Sequence, residues 1–286
     1  MKVLVTGGSG FIGSHLVDKL IAAGHSVVVF DLKPPQRRDV KYVRGNLLSL
    51  TDIDKAMKGI EVVFHFAAFS NIDLIKDNPV DAVSFNVMGT TNLLEACRKR
   101  KIFRFVLASS VFVFNENGHL YTASKYASEL ICKSYNVLFG VPYTIIRCGT
   151  VYGPRSRHVD VISIFIEKCL KGEALTVKGS GNQKRNFIYV EDLAEGCVKA
   201  LGKKGENKTY VIAGKEMVSI NDLIAIFKKI MPDRLKVSHQ KGRVDDYAGE
   251  ILGNNLIKKE LGWQPKTSLV EGVKKTFNKL KGESLC

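Results

Sequence analysis

The opening segment KVLVTGGSGFIGSHLV (2–17) leaves few folds open. A short apolar run, KVLVT (2–6), meets a cluster of glycines. A helical pattern then runs from Phe11 to Ala23 and stops at Gly24. Gly8-x-Gly10-x-x-Gly13 and Gly7-x-x-Gly10-x-x-Gly13 both span the junction. Glycines at this spacing permit a tight strand-to-helix turn, close backbone approach to a pyrophosphate, and close helix–strand packing. The helix start then points unpaired N–H groups and its positive dipole end at the phosphates. The next strand (26–30) ends at Asp31, 18 residues after Gly13. A carboxylate there accepts hydrogen bonds from the adenosine ribose hydroxyls and repels a 2′-phosphate, so NAD is expected over NADP. Lys33, Arg37 and Arg38 are the counterweight, since they would serve NADP if their loop folded back.

The first half keeps alternating. Strands are expected at 40–45, 62–68, 104–110 and 143–153, and helices at 51–58, 79–99 and 121–139. Near-continuous apolar strands alternating with helices predict an α/β fold, a doubly wound parallel sheet of the Rossmann kind. The second half is mixed. Helices are expected at 159–171, 191–201, 219–230 and 269–281. Strands are expected at 174–177 and 209–214, with a glycine-rich turn at 179–187. The expected division is a dinucleotide-binding domain over 1–153 and a smaller mixed α/β substrate region over 154–286. Some later segments are expected to return to the first domain, and the second half to wall the cleft at the carboxyl end of the sheet.

Composition removes other classes. A hydrophobic share of 45% with 25% charged residues is ordinary for a globular chain. No apolar run reaches the roughly 18 residues of a membrane span, and the N-terminus lacks the pattern of a signal peptide. Six scattered cysteines without a CxxC pair fit thiols in a reducing cytoplasm. Six histidines show no paired ligand spacing, so no metal site is expected. The formal net charge of +15 is spread in short pairs. The densest run, Arg98-Lys99-Arg100-Lys101, sits where a helix C-terminus favours cations. No nucleic-acid motif accompanies it, whereas an anionic small molecule suits a basic chain.

Tyr121-Thr-Ala-Ser-Lys125 places a phenol and an ammonium about one helical turn apart, on one face. A nearby ammonium favours tyrosinate and lowers the phenol pKa, which suits a proton donor and acceptor near neutral pH. Ser110 ends a strand 11 residues earlier and can hold the substrate oxygen that exchanges its proton with Tyr121. Alone, a YxxxK pair reads equally as a solvated helix face.

With these residues in place, the chain resembles extended short-chain dehydrogenases/reductases of the NAD-dependent epimerase/dehydratase family, most closely the sugar-nucleotide 4-epimerases. TGGSGFIGSHL, Asp31, GNL (45–47), HFAA (65–68), NVMGTTNLLEA (86–96), ASS (108–110), YTASK (121–125), VYGPR (151–155), GNQKRNFIYVEDLA (181–194) and LGWQPKTSLVEG (261–272) match in family order. The resemblance implies that Gly7, Gly10, Phe11, Ile12 and Gly13 hold the pyrophosphate and Asp31 the adenosine ribose. It places Asn46 and Leu47 beside the adenine, with Asn46 where an Asp is usual. Phe66, Ala67, Ala68 and Asn86 fall along the cofactor, and Ser110, Tyr121 and Lys125 form the catalytic triad, with Tyr121 and Lys125 also binding the cofactor and Ser110 the substrate. Thr150, Arg185, Arg243 and Asp246 fall in the substrate region. The two arginines match residues that hold a nucleotide diphosphate, whose oxygens suit guanidinium forks.

Four departures stand out. The stretch from Ser110 to Tyr121 is short, holding only VFVFNENGHL (111–120). Val111-Phe112 replaces the Asp-Glu pair that related dehydratases use to eliminate water. Thr150 replaces an Asn, and Asn186 an Asp. The implied reaction is oxidation and re-reduction at carbon 4 of a UDP-hexose. Alternatives are an NAD(P)H-dependent reductase of a nucleotide-linked 4-keto sugar, an epimerase of a non-nucleotide substrate, and a non-catalytic cofactor sensor. Apolar stripes on the helices at 86–99 and 121–139 match family counterparts that pair across a two-fold axis, so a homodimer is expected. A cytoplasmic location is expected too, with no membrane and no nucleic acid as partners.

Overall fold

The computed structural model describes residues 1–115, 119–156, 160–231, 235–241 and 253–283. In chain order the first half runs β1 (Lys2–Thr6), α1 (Phe11–Ala22), β2 (Ser26–Asp31), β3 (Lys41–Arg44), α2 (Leu50–Ala56) and β4 (Val62–His65). There follow α3 (Ile72–Asp77), α4 (Pro79–Val83), a π-helical turn (Ser84–Met88), α5 (Gly89–Arg100), β5 (Arg104–Ser110), a 3₁₀ turn (Val111–Phe114), α6 (Leu120–Phe139), β6 (Tyr143–Cys148) and β7 (Thr150–Tyr152). The second half adds α7 (Val161–Lys171), β8 (Leu175–Lys178), β9 (Lys184–Arg185), β10 (Phe187–Tyr189), α8 (Val190–Ala200) and β11 (Lys208–Ile212). It ends with β12 (Val218–Ser219), α9 (Ile220–Ile230), β13 (Val237–Gln240), α10 (Asn255–Leu261) and α11 (Leu269–Glu283).

Seven strands form one parallel sheet in the order β11-β6-β5-β4-β1-β2-β3. This is the expected doubly wound α/β architecture. Apolar residues alternate between its faces at the period of two that a pleated strand imposes. Val3 and Val5 pack with Leu16, Leu20, Leu193 and Trp263 on one side. Leu4 packs with Phe30, Leu93, Leu94 and Ile145 on the other. The chain winds outward from β1 through β2 to β3, then returns to lay β4 on β1's other edge. That reversal opens a crevice at the carboxyl ends of β1 and β4, where sheets of this kind take ligands.

A smaller lobe has its own core, in which Phe165 of α7, Phe227 of α9 and Val273 of α11 meet. The later chain also crosses back to the sheet. β11 pairs with β6, Ala213 N donates to Asn254 just before α10, and Trp263 is fully buried in the core of the sheet. Among the described residues no helix is long and apolar enough to cross a membrane.

Three expectations need correcting. The helix read over 79–99 is α4 and α5 joined through the π-helical turn, and α3 precedes them. The strand read over 62–68 stops at His65. Phe66 N still donates to Thr6 O at 3.0 Å and Ala67 N to Thr6 Oγ1 at 3.3 Å, so the pairing ends where β1 turns away at Gly7, whose φ is +71°. The turn at 179–187 contains β9, which pairs with β12, and the start of β10.

Candidate active site

The turn after β1 is built by contact. Gly7 has φ +71°, a left-handed conformation that costs a side chain steric strain, and its N donates to Phe30 O at 3.0 Å. A Cβ on Gly13 would lie 2.1 Å from Gly7 O, so α1 sits against the turn only with glycine there. Gly10 opens α1 without a side-chain cap, and the first turn carries no acid. The leading N–H groups therefore keep their capacity for an anion.

A groove of about 420 Å³ runs past this turn, lined by Gly7, Gly10, Phe11, Ile12, Gly13, Asp31, Leu47, Phe66, Ala67 and Ala68 among others. Asp31 is fixed at its edge, its two carboxylate oxygens accepting from Ser9 N at 3.1 Å and Lys33 N at 3.2 Å. An uncapped helix start with a carboxylate at the far end fits a dinucleotide whose ribose hydroxyls are free. Arg37 is turned away, bonded to Asp18 at 3.0 Å and to Asp39 at 2.5 Å. The loop thus folds toward α1 and engages Arg37, one of the three cations that could serve a 2′-phosphate.

Of the expected cofactor residues, Asn46 and Asn86 line neither this groove nor the chamber that joins it. Asn46 is exposed, and its Oδ1 accepts from Leu48 N at 3.0 Å, so its amide shapes its own turn. Asn86 is buried behind the groove. Its amide accepts from Phe69 N at 2.7 Å and donates to Phe69 O and Ser124 Oγ, both at 3.0 Å. It fastens the loop after β4 to α6 rather than facing the crevice.

Ser110, Tyr121 and Lys125 line a second chamber of about 330 Å³, which shares Phe11, Ile12, Phe66, Ala68 and Ser70 with the groove. Ser110 ends β5, and its Oγ accepts from Phe112 N at 3.2 Å, starting the 3₁₀ turn. His119 caps α6, Nδ1 accepting from Thr122 N, and so sets the first turn that carries Tyr121. Lys125 is buried and donates to Ala108 O at 2.7 Å; its Nζ lies 6.0 Å from the Tyr121 ring centre. Burial dominates both titrations. It brings the Lys125 ammonium down to about 8, opposed by Cys148 and Glu129. It pushes the Tyr121 phenol well up, so in the protein alone desolvation outweighs the lowering expected from the lysine.

A third chamber, of about 570 Å³, shares Thr150 and Asp160 with the second and carries Lys168, Lys178 and Arg185. Arg185 donates to Lys184 O, and Lys168 to Thr176 Oγ1 at 2.6 Å. Arg243 and Asp246 lie outside the described residues. Sequence reading did not single out Asp160, which caps α7 through Ile162 N and Ser163 N. Nor did it single out Glu129, although its place four residues after Lys125 was a readable signal. Among the described residues no cluster of His, Cys, Asp or Glu could hold a metal ion.

A model of the NAD dependent epimerase/dehydratase family matches residues 3–213. A putative UDP-glucose 4-epimerase of Methanocaldococcus jannaschii is 38% identical, covering 99% of each chain. The UDP-glucose 4-epimerase of Thermotoga maritima, solved with UDP-glucose, superposes with a TM-score of 0.94 at 29% identity, covering 99% of this chain and 100% of that one. The UDP-glucuronic acid 4-epimerase of Bacillus cereus, solved with UDP-glucuronic acid and NAD, gives 0.92 at 30% identity with the same coverage.

Proposed function

The chain belongs to the NAD dependent epimerase/dehydratase family, and from that premise we propose that it inverts carbon 4 of a neutral UDP-hexose of the UDP-glucose/UDP-galactose type. It is an enzyme of the nucleotide-sugar epimerase kind and works with NAD. The observation that carries the carbon-4 reading is the run of three joined chambers. Ser110, Tyr121 and Lys125 stand in the middle one, between a groove fitted to a dinucleotide and a cationic chamber fitted to a diphosphate.

Gly7, Gly10, Phe11, Ile12 and Gly13 would hold the pyrophosphate, and Asp31 the adenosine ribose. Tyr121, as tyrosinate, takes the proton from the 4-hydroxyl while Ser110 hydrogen-bonds that oxygen, and as the phenol it returns the proton at the end. When bound there, NAD would supply the acceptor, and then the donor, of the hydride at carbon 4. Lys125, with Nζ 6.0 Å from the ring centre, adds its charge near the phenol and opposes the desolvation that raises the phenol pKa. Arg185 and Thr150 hold the diphosphate side, so the 4-keto sugar turns about that anchor and presents its other face. Arg243 and Asp246 complete that hold in this reading. The protein's share is position and proton affinity.

A neutral sugar is favoured because, among the described residues lining the middle chamber, the charged groups are one cation, Lys125, and one acid, Asp160. A second reading, reduction of a nucleotide-linked 4-keto sugar, uses the same Ser110, Tyr121 and Lys125 but consumes cofactor. Proton NMR of UDP-galactose, UDP-N-acetylgalactosamine and UDP-glucuronate incubated with enzyme and NAD separates these. We expect the gluco epimer from a neutral sugar, no net NADH, and slower turnover of the uronate. No conversion of any of the three by cofactor-loaded protein would overturn the reading. Exposed Tyr126, Leu130, Val137, Leu138 and Phe139 on α6 support a two-fold dimer, with Met88 beside the start of α5. The buried free thiols suit a cytoplasmic setting.

A further inference from the structure

Glu129 sits one turn beyond Lys125 on α6 and is fully covered, yet the proton transfer at Tyr121 makes no direct use of it. Its Oε1 accepts from Ser109 Oγ at 2.5 Å and from Arg147 Nε at 3.0 Å, and its Oε2 from Arg147 Nη2 at 2.7 Å. The Arg147 guanidinium, on β6, lies over the Phe114 ring with Cζ 4.6 Å from its centre. A covered ion pair is a poor source of stability, because desolvation offsets the attraction between the charges. Its place is better explained by what it joins. Ser109 precedes Ser110. Arg147 precedes Cys148 on the chamber wall. Phe114 closes the 3₁₀ turn whose Val111 and Phe112 line the same chamber.

We propose that Glu129 and Arg147 are positioning residues for this reaction: the pair pins the short 111–114 turn through Phe114, and Glu129 supplies the countercharge that keeps Lys125 an ammonium beside Tyr121. The identity of the reaction rests on the function proposed above; the two physical roles do not.

Among the groups near Lys125, Glu129 is the acid that supplies that countercharge, shared with the Arg147 cation of β6 that binds both its oxygens. Tyr121 shares its helix, and burial keeps the phenol protonated. His65, on β4, is held neutral, its pKa pushed down to about 3 by burial. The Cys148 thiol, on β6, is pushed up to about 12. Ala108, on β5, offers only a carbonyl. Lys125 is thus charged below about 8 and loses its proton above it. Removing the Glu129 charge moves that loss to lower pH.

The test combines a titration that needs no turnover with steady-state kinetics. In ¹³C-lysine-labelled enzyme the Lys125 signal is assigned by its absence from Lys125→Met and followed with pH in wild type, Glu129→Gln, Glu129→Asp and Phe114→Ala. Glu129→Gln is expected to lower the Lys125 midpoint and to move the high-pH fall of kcat down with it. Glu129→Asp is expected to restore the midpoint. Phe114 is 37% exposed, so Phe114→Ala is expected to fold. It is expected to leave the midpoint alone and to raise KM for UDP-galactose roughly three- to tenfold through the lost cation–π contact. If Glu129→Gln does not fold, Arg147→Lys replaces it, keeping both charges but losing the paired bonds; a raised KM at an unchanged midpoint supports the brace. A pair that is merely structural would lower Tm without moving the midpoint or KM, and that result overturns the proposal. If the midpoint moves but no UDP-hexose turns over even in wild type, the electrostatic role stands and the proposed reaction falls.

Discussion

At the scale of single residues, the site depends on a phenol that the protein by itself holds protonated. Tyr121→Phe keeps the ring and removes only the exchangeable proton. It should therefore lower kcat by about a hundred- to ten-thousand-fold, with the affinity for NAD, read by calorimetry, nearly unchanged. Asp31→Ser should narrow the preference for NAD over NADP, because the carboxylate at the ribose edge is the repelling group and Arg37 is already engaged by Asp18 and Asp39. An unchanged ratio of the two dissociation constants would contradict that assignment. Sequence spacing was enough to bring Ser110, Tyr121 and Lys125 to one chamber, since a strand end and one helix face fix where such residues emerge. Direction is harder to read. Asn46 and Asn86 occupy expected positions, but backbone groups next to them consume their amides. Nothing in a residue's type announces which of several nearby donors it will meet. The short loop and the Val111-Phe112 pair were legible as departures, but the brace beneath them required the fold.

The elements that place these residues depend on tight junctions more than on propensity. Gly13→Ala would put a methyl 2.1 Å from Gly7 O and force α1 off the turn. Chemical denaturation should show a loss of about 2 kcal/mol or more, together with a clear loss of NAD affinity. Beside the third chamber, which Ile220 lines and whose Arg185 strand pairs with β12, Ser219 and Asp222 form a reciprocal capping box at the start of α9. Ser219→Ala should cost about 1 kcal/mol there, read by chemical denaturation. Elements with a strong period were legible: the strands of the sheet from their apolar runs, and α1, α5 and α6 from their stripes. Weak signals failed for physical reasons. β13 is exposed at all four residues and therefore shows no alternation, while β9 and β12 are two residues each. The break between α4 and α5 left no mark in the pattern, because a π-helical turn inserts a residue's worth of rotation without a proline or a change in polarity.

For the whole molecule, the later chain completes the earlier one. α8 lies on α1, β11 closes the sheet edge, and Asp192 Oδ2 accepts from Lys266 N at 3.0 Å and Thr267 N at 2.8 Å, pinning the segment that carries Trp263. A chain ended after Gly153 would leave Leu16, Leu20 and Ile146 without these covers. It should bind a hydrophobic dye and lack a cooperative thermal transition; a cooperative transition would show that the first 153 residues form a self-sufficient unit. The two-fold dimer proposed above predicts that Leu130→Glu, on the exposed apolar face of α6, lowers the sedimentation coefficient to that of a monomer. Trp263 has one more consequence, because it is the chain's single tryptophan and lies within the core of the sheet. The protein therefore glows from one fixed lamp. Reduced nicotinamide absorbs in the band where indole emits, so energy passes from lamp to cofactor whenever the reduced form is aboard. An enzyme that recycles its oxidant dims only by the fraction that holds reduced cofactor, keeps that level when the sugar reaches equilibrium, and brightens when the sugar is removed. One that spends reductant stays dim for as long as the reductant lasts.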